Sequence, residues 1–352
     1  MKTKYLIPRL AALLLALCLL PVLAPAEEPD QTEQSDWENF LLVCNEGMNN
    51  DKGNAGNTLM VCAMNTKTGR IRLVSFTWDT FIDYEGYDIP QRLDMPYRNN
   101  GPEEAMKVFN ENFGLGLTRY LSLNYLNLAS LIDDYSGVTV DITRAERNAL
   151  NGMVASKKNQ LQNMVATGTL TQAALDSLAT DYILEDFGPD THLNGLQAVG
   201  FGWLQYDSVY NCCGRELQVI ANLFESVGNL ANERAVFYTD ETENPGEADG
   251  RRAINLDHVT DEDREFIRAL LAPIFEKSAH NLSEEDIESI SMALIRATFQ
   301  AFRQGVNVLH DLDTAILPLE AQDPYEYVGG TAGHVVDKEA NKAAIREFLY
   351  GD

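Results

Sequence analysis

The spacing of apolar residues changes several times along the chain, and each change marks an element. Phe40 to Cys44, Thr58 to Met64 and Ile71 to Phe76 are short apolar runs, with Asn65-Thr66-Lys67-Thr68-Gly69 as a turn between the last two. They predict three strands, the second and third forming a hairpin. Gly101-Pro102-Glu103-Glu104 opens a helix, because proline fits the first turn and acidic residues favour the positive end of the helix dipole. Ala105, Val108, Phe109 and Phe113 form its apolar stripe, and Gly114 ends it. A strand at Tyr120 to Leu123, a helix around Leu126 to Asp134 and a strand at Val138 to Ile142 follow. Strands alternating with helices predict an α/β fold.

Residues 144–180 carry an amphipathic helical pattern, and Asn211 to Val227 carry another. A weakly structured acidic stretch at 239–257, containing Asn244-Pro245-Gly246 and Gly250, reads either as a domain boundary or as a surface insertion in the domain. Thr260-Asp261-Glu262-Asp263 and Ser283-Glu284-Glu285-Asp286 are helix-start patterns and predict helices over 261–277 and 284–303. The end, Val335 to Tyr350, reads as a short strand and a closing helix. No internal repeat is visible.

The first residues set Lys2, Lys4 and Arg9 before an apolar run, Leu10 to Leu20, followed by Pro21 and Ala24-Pro25-Ala26. This is an export-signal layout, with residues 1–26 read as a signal peptide cut after Ala26 or as an N-terminal membrane anchor. Cys18 does not make a lipoprotein site, because Leu17 stands before it where a small residue is expected. Residues 27–36 are a polar linker, and 37–352 form the folded domain. The full chain holds 27 basic and 53 acidic residues, a formal charge of −26. Removing residues 1–26 takes three basic residues and no acidic one, which brings the charge to −29. Such a surface repels nucleic acid, whose binding depends on basic contacts to phosphate.

Four cysteines remain after that cut. Cys44 and Cys62 lie in runs that read as neighbouring strands, so they are either a bridge or two buried thiols. Cys212-Cys213 has no zinc-site spacing. His192, His258, His280, His310 and His334 are scattered, and none sits in a nucleophile motif.

Several blocks, in order, resemble the LytR-CpsA-Psr family. They are Leu41-Leu42-Val43-Cys44-Asn45-Glu46, Asn57-Thr58-Leu59-Met60, Ser75-Phe76-Thr77-Trp78-Asp79-Thr80, Arg92-Leu93-Asp94-Met95-Pro96-Tyr97, Asn100-Gly101-Pro102-Glu103, Leu193-Asn194-Gly195-Leu196-Gln197-Ala198 and Gly214-Arg215-Glu216. The closing segment, Asp337 to Gly351, is also similar to the family's last helix. The resemblance implies a three-layer α/β/α sandwich with a central mixed sheet. It also implies an exported phosphotransferase of the cell envelope, which attaches a polyprenyl-pyrophosphate-linked glycopolymer to peptidoglycan at the membrane surface. Phosphoryl transfer of this kind depends on positioning and on neutralising charge at the phosphate oxygens. By resemblance, Asp79 and Arg215 are the catalytic candidates, Arg92 and Arg215 bind the pyrophosphate, and Glu46 and Asn57 hold a Mg2+ ion.

The chain departs from the family's pattern at the chemistry. Asn57 replaces the acid of an Asp-Thr-Met block, Trp78 an arginine, Gly202-Trp203-Leu204-Gln205 a segment with two arginines, and Cys212 a further arginine. Arg98 and Arg119 stand nearby without a motif, and Trp78 and Trp203 read either as core residues or as a platform for a sugar ring. Arg92, Arg215 and Asp79 have a purely structural reading as well, with Arg215 pairing Asp207 or Glu216. Two functions follow: an active transferase, or a lipid- or glycan-binding protein on the same scaffold without turnover. A transcriptional role is disfavoured by the export signal and the charge.

Overall fold

The computed structural model describes residues 36–47, 56–176, 178, 182–242, 250–304, 312–318 and 325–351, the Asn57 side chain excepted. The export segment, nearly all of the polar linker, His310 and the centre of the acidic insertion lie outside the described residues.

The chain begins with β1 (Trp37–Asn45), β2 (Gly56–Asn65) and β3 (Ile71–Phe76), followed by the short strands β4 (Thr80–Ile82) and β5 (Gln91–Arg92). Helices α1 (Met95–Asn100) and α2 (Pro102–Phe113) come next, then β6 (Tyr120–Asn124), α3 (Tyr125–Asp134) and β7 (Val138–Ile142). After them come α4 (Arg144–Ala166), α5 (Gln172–Asp176), β8 (Gly188–Leu193), α6 (Gly195–Gly202) and α7 (Val209–Arg234). The chain closes with β9 (Ala235–Tyr238), β10 (Arg252–Asn255), α8 (Asp261–Glu276), β11 (Ala279–His280), α9 (Glu284–Gln304), β12 (Leu312–Leu317), β13 (Tyr325–Val328), β14 (Thr331–Val335) and α10 (Lys338–Tyr350).

The central sheet has the order β11-β6-β1-β2-β3-β12. β1 is parallel to β6 and β3 to β12, whereas β2 runs antiparallel to both of its neighbours. The C-terminal ends of β6, β1, β3 and β12 therefore share one edge with the start of β2. Ligands of open α/β sheets bind outside the carboxyl ends of the strands.

Alternation along the strands divides the core in two. Phe40, Leu42 and Cys44 pack under α3, α6, α7, α8 and α9, while Leu41 and Val43 pack under α2 and α10. Both faces of the sheet are covered, which explains why its strands read as continuous apolar runs. The expected three-layer sandwich is the observed one.

Some boundaries differ from expectation. The helix expected over 144–180 stops at Ala166, where Gly168 takes φ +76°, and resumes only as the short α5. Part of the acidic stretch is ordered, since Arg252–Asn255 pairs in parallel with Ala235–Tyr238. Cys44 and Cys62 are both free thiols in the core, so the bridge does not form: Cys44 stands opposite Thr58 and Cys62 opposite Phe40, too far apart along the ladder.

Helix α6, which leads to the site described below, is seated by a glycine. Gly195 N donates to Asp133 Oδ1 at 2.7 Å, and a Cβ at this position would stand 1.8 Å from the Ala129 carbonyl oxygen. Gly195→Ala is expected to cost about 3 kcal/mol, the upper end for overpacking. Gly168→Ala, in open space, should cost only the left-handed backbone penalty of about 1–2 kcal/mol. Urea denaturation of the two variants checks the order.

Candidate ligand-binding site

The shared edge is fixed by buried polar groups. Asn45, the last residue of β1, donates from Nδ2 to the Tyr97 hydroxyl at 2.7 Å, and that hydroxyl shares a hydrogen bond of 2.8 Å with Ser122 of β6. Helix α1 and two strand ends are thus tied together, and Glu46 emerges beside them, exposed. Across β6, Asn124 caps α3 by accepting from Asn127 N, which starts the helix at Tyr125. Helix α6 begins with a reciprocal Asn194–Gln197 capping box and delivers Trp203, whose Nε1 donates to Thr58 Oγ1 at 3.1 Å.

Tyr125, Trp203, Val199, Val154, Met153 and Lys157 wall a narrow pocket of about 20 Å3 at this edge. The Lys157 ammonium lies 4.2 Å from the centroid of the Tyr125 ring, a cation–π contact. Burial pulls the Lys157 pKa below its ordinary value, and the charge of Glu46 acts in the opposite direction. The Tyr125 hydroxyl is buried and has no hydrogen-bond partner among the described residues, and burial raises its pKa.

Two acids are enclosed further along the edge. Asp79, three residues past β3, is fully buried, and neither carboxylate oxygen has a hydrogen-bond partner among the described residues. Its backbone carbonyl accepts from His334 N at 3.2 Å, which fastens β14 beside it. Tyr325 is close enough that its hydroxyl pKa is raised, by burial first and by the Asp79 charge second. Glu216, on α7, is also buried, and desolvation lifts its carboxyl well above the usual range despite a hydrogen bond with Thr58.

The two motif arginines are occupied by the protein itself. Arg215 is buried and forms a two-pronged pair with Asp207, at 2.9 and 2.7 Å, while also bonding the Leu204 carbonyl and approaching Glu146 at 3.4 Å. Burial works against its charge, but Asp207 outweighs it and raises the pKa above the ordinary arginine value. Arg92 directs Nε and Nη2 to the Ala332 carbonyl and stacks 4.9 Å over Trp78. Glu46, Asp79 and the backbone of Asn57 therefore share the sheet edge, whereas the guanidinium groups of Arg92 and Arg215 are turned to other partners. Arg215 lines a separate open cleft of about 820 Å3 beside β12. Trp203 is buried and hydrogen-bonded, so it packs and is not a sugar platform.

Of the donors expected for magnesium at this edge, Glu46 supplies the one carboxylate, and it is exposed. No group of three or more His, Cys, Asp or Glu side chains converges among the described residues. Mg2+ is usually bound through one or two carboxylates, and the acid nearest the expected position, Glu46, has Lys157 as a charged neighbour. The Asn57 side chain lies outside the described residues.

Lys157 was not singled out from sequence, although a signal for it exists. On α4 the buried residues are Leu150, Val154 and Leu161, and position 157 continues that stripe. A lysine on an apolar stripe buries its stem and brings its charge to an edge.

Glu216 makes a testable contribution to stability. Its raised pKa means that the folded state keeps a proton that the unfolded chain loses above about pH 4.3. Stability should therefore fall as pH rises through that window, by up to about 1.4 kcal/mol per pH unit. Glu216→Gln should flatten the slope and raise stability at pH 7, as read by denaturation at several pH values. An unchanged slope would show that Glu216 is not the cause.

No curated protein sequence matches the chain. The model of the LytR_cpsA_psr family matches residues 24–232, more than half of it. Among solved structures, B. subtilis TagV shares 12% identity at a TM-score of 0.56, over 89% of this chain and 97% of TagV. Streptococcus agalactiae gbs0355 shares 14% at 0.55, over 90% of this chain and 89% of its own. TagT, in a structure bound to LI-WTA, shares 10% at 0.54, over 90% and 92%. At these identities the structural likeness is one of fold. With its motif blocks in order and the family model spanning most of the sheet and the helices over it, the chain belongs to the LytR-CpsA-Psr family.

Proposed function

We propose that this chain is a cell-envelope protein that binds a polyprenyl-pyrophosphate-linked glycopolymer, with the phosphates at the sheet edge and the prenyl chain beneath the helices. The observation that carries this reading is an almost wholly apolar slot between β1, β6 and the helices α3, α7, α8 and α9, walled by residues such as Leu42, Leu123, Leu128, Leu223, Phe275 and Leu294. Its volume is about 60 Å3, well below the roughly 300–1,000 Å3 of small-molecule sites, so a prenyl chain enters as the helices part. TagT, which shares the fold, has been captured with LI-WTA. No helix among the described residues is long and apolar enough to cross a membrane, and delivery to the outer membrane face rests on the signal in residues 1–26.

On this reading turnover is slow or absent. Phosphoryl transfer depends on cations aimed at developing phosphate charge, and Arg92 and Arg215 have committed much of their hydrogen bonding to carbonyls and carboxylates of the protein. A second reading, transfer to peptidoglycan, is favoured by one observation: the buried Asp79 carboxylate has neither oxygen hydrogen-bonded among the described residues. In that reaction an acceptor hydroxyl oxygen bonds to the sugar-side phosphorus, polyprenyl phosphate leaves, and Asp79 takes the hydroxyl proton.

The full chain should bind a polyprenyl-pyrophosphate oligosaccharide carried in vesicles. Leu128→Trp, which fills the slot, should weaken that binding at least about tenfold, and transfer to peptidoglycan fragments should stay at the level of Asp79→Asn. Absence of binding contradicts the proposal, and turnover that Asp79→Asn abolishes establishes the second reading.

A further inference from the structure

We propose that Lys157, with the Tyr125 hydroxyl beside it, is the phosphate-anchoring group of this chain. The inference rests on the binding reading above and names the residues that hold the charged end of the ligand.

Three observations converge on it. The Lys157 ammonium makes no hydrogen bond or ion pair among the described residues; the contact shown for it is the Tyr125 ring at 4.2 Å. Such a group has its donors available for an oxygen-rich anion. Tyr125 lines the same pocket, and its hydroxyl is buried behind the ring with no hydrogen-bond partner among the described residues. A buried hydroxyl left unsatisfied costs stability and gains most from a ligand that accepts its proton. The third observation is position: Tyr125 follows directly from the C-terminal end of β6, and Trp203 bonds Thr58 at the start of β2, so the pocket opens at the edge where Glu46 emerges.

The remaining basic groups near this edge are engaged elsewhere. Arg215 is held by Asp207 and the Leu204 carbonyl, and the Glu146 that approaches it lies on α4 eleven residues before Lys157. At 1.5 Å per residue the two ends of that span are about 16 Å apart. Arg98 pairs with Asp94, and Arg119, ahead of β6 at the opposite edge, pairs with Glu38 at 2.6 Å and Asp286 at 2.5 Å. Lys158, the next residue, lies over the Tyr182 ring and not over Tyr125. The pocket is too small to enclose a phosphate, so the anion sits across its mouth, with Lys157 and Tyr125 contacting one side.

The experiment titrates the full chain with inorganic pyrophosphate and, separately, with farnesyl pyrophosphate, following heat. Lys157→Met keeps the apolar stem and removes the charge, and it should weaken both ligands at least about tenfold at an unchanged melting temperature. Lys157→Arg should stay within about threefold of the native chain, Tyr125→Phe should weaken binding by a smaller factor, and Lys158→Met should leave it unchanged. Tighter binding of farnesyl pyrophosphate than of pyrophosphate identifies a lipid-borne phosphate as the ligand. Equal affinity of Lys157→Met and the native chain, or no saturable binding of either probe by the native chain, overturns the inference. If both probes bind through Lys157 but the vesicle-borne glycopolymer does not, the anchoring role stands and the glycopolymer reading fails.

Discussion

The parallel pairing of β1 with β6 is the constraint on which the site depends. It places Cys44 beside Leu123 and Asn45 beside Asn124, so the residue after one strand, Glu46, and the residue after the other, Tyr125, emerge side by side. Parallel neighbours need a long crossover, and here that crossover carries β2 to β5 together with α1 and α2. The same stretch therefore brings Thr58, Asp79 and Tyr97 to the edge. The Asn45–Tyr97–Ser122 hydrogen bonds hold the strand ends in register. A buried network of this kind stabilises only when its members are satisfied, which suits a region meant to stay fixed while a ligand comes and goes.

Electrostatics around this edge are managed by internal pairing. The chain is strongly acidic, and arginines at this edge are absorbed by that excess: Arg215 by Asp207 and Glu146, and Arg98 by Asp94. Arg215 then becomes a brace linking the start of α7, the start of α4 and the loop after α6. Lys157 escapes this fate because its neighbours are aromatic and its opposing acid stands at the exposed rim. With a net charge of −26, the proposed binding of a phosphate-bearing lipid requires positive potential to be concentrated locally, and a lysine half-sunk in an apolar pocket does so, since charge is screened least where water is excluded.

Much of the fold was legible in the sequence. The apolar runs of β1, β2, β3 and β6, the glycine-proline start of α2 and the acidic starts of α8 and α9 all correspond to observed elements, because each is specified by local pattern and capping. β12 and β8 were not read. β12 joins the central sheet through pairing with β3, some 240 residues earlier, and β8 pairs with β7 in a separate two-stranded sheet across the long α4; neither pairing is marked by local spacing. The order of motif blocks carried the family, but motif identity could not say where each side chain points. Arg92 and Arg215 sit at matching positions and turn to Ala332 and Asp207, whereas Lys157, which no motif marks, stands at the edge. Position along the chain is local information; the direction of a guanidinium depends on which acids the fold places around it.

In the proposed complex the ligand's phosphates sit at the sheet edge between Tyr125, Lys157 and Glu46, while Arg92 and Arg215 remain bonded within the protein. A crystal structure of the full chain with farnesyl pyrophosphate tests this directly. Phosphate oxygens are expected within hydrogen-bond distance of Lys157 Nζ, with the prenyl chain entering between α3 and α7 and the Arg215–Asp207 pair unchanged. Phosphate bound instead in the cleft of Arg215, with that pair broken to receive it, would contradict this arrangement.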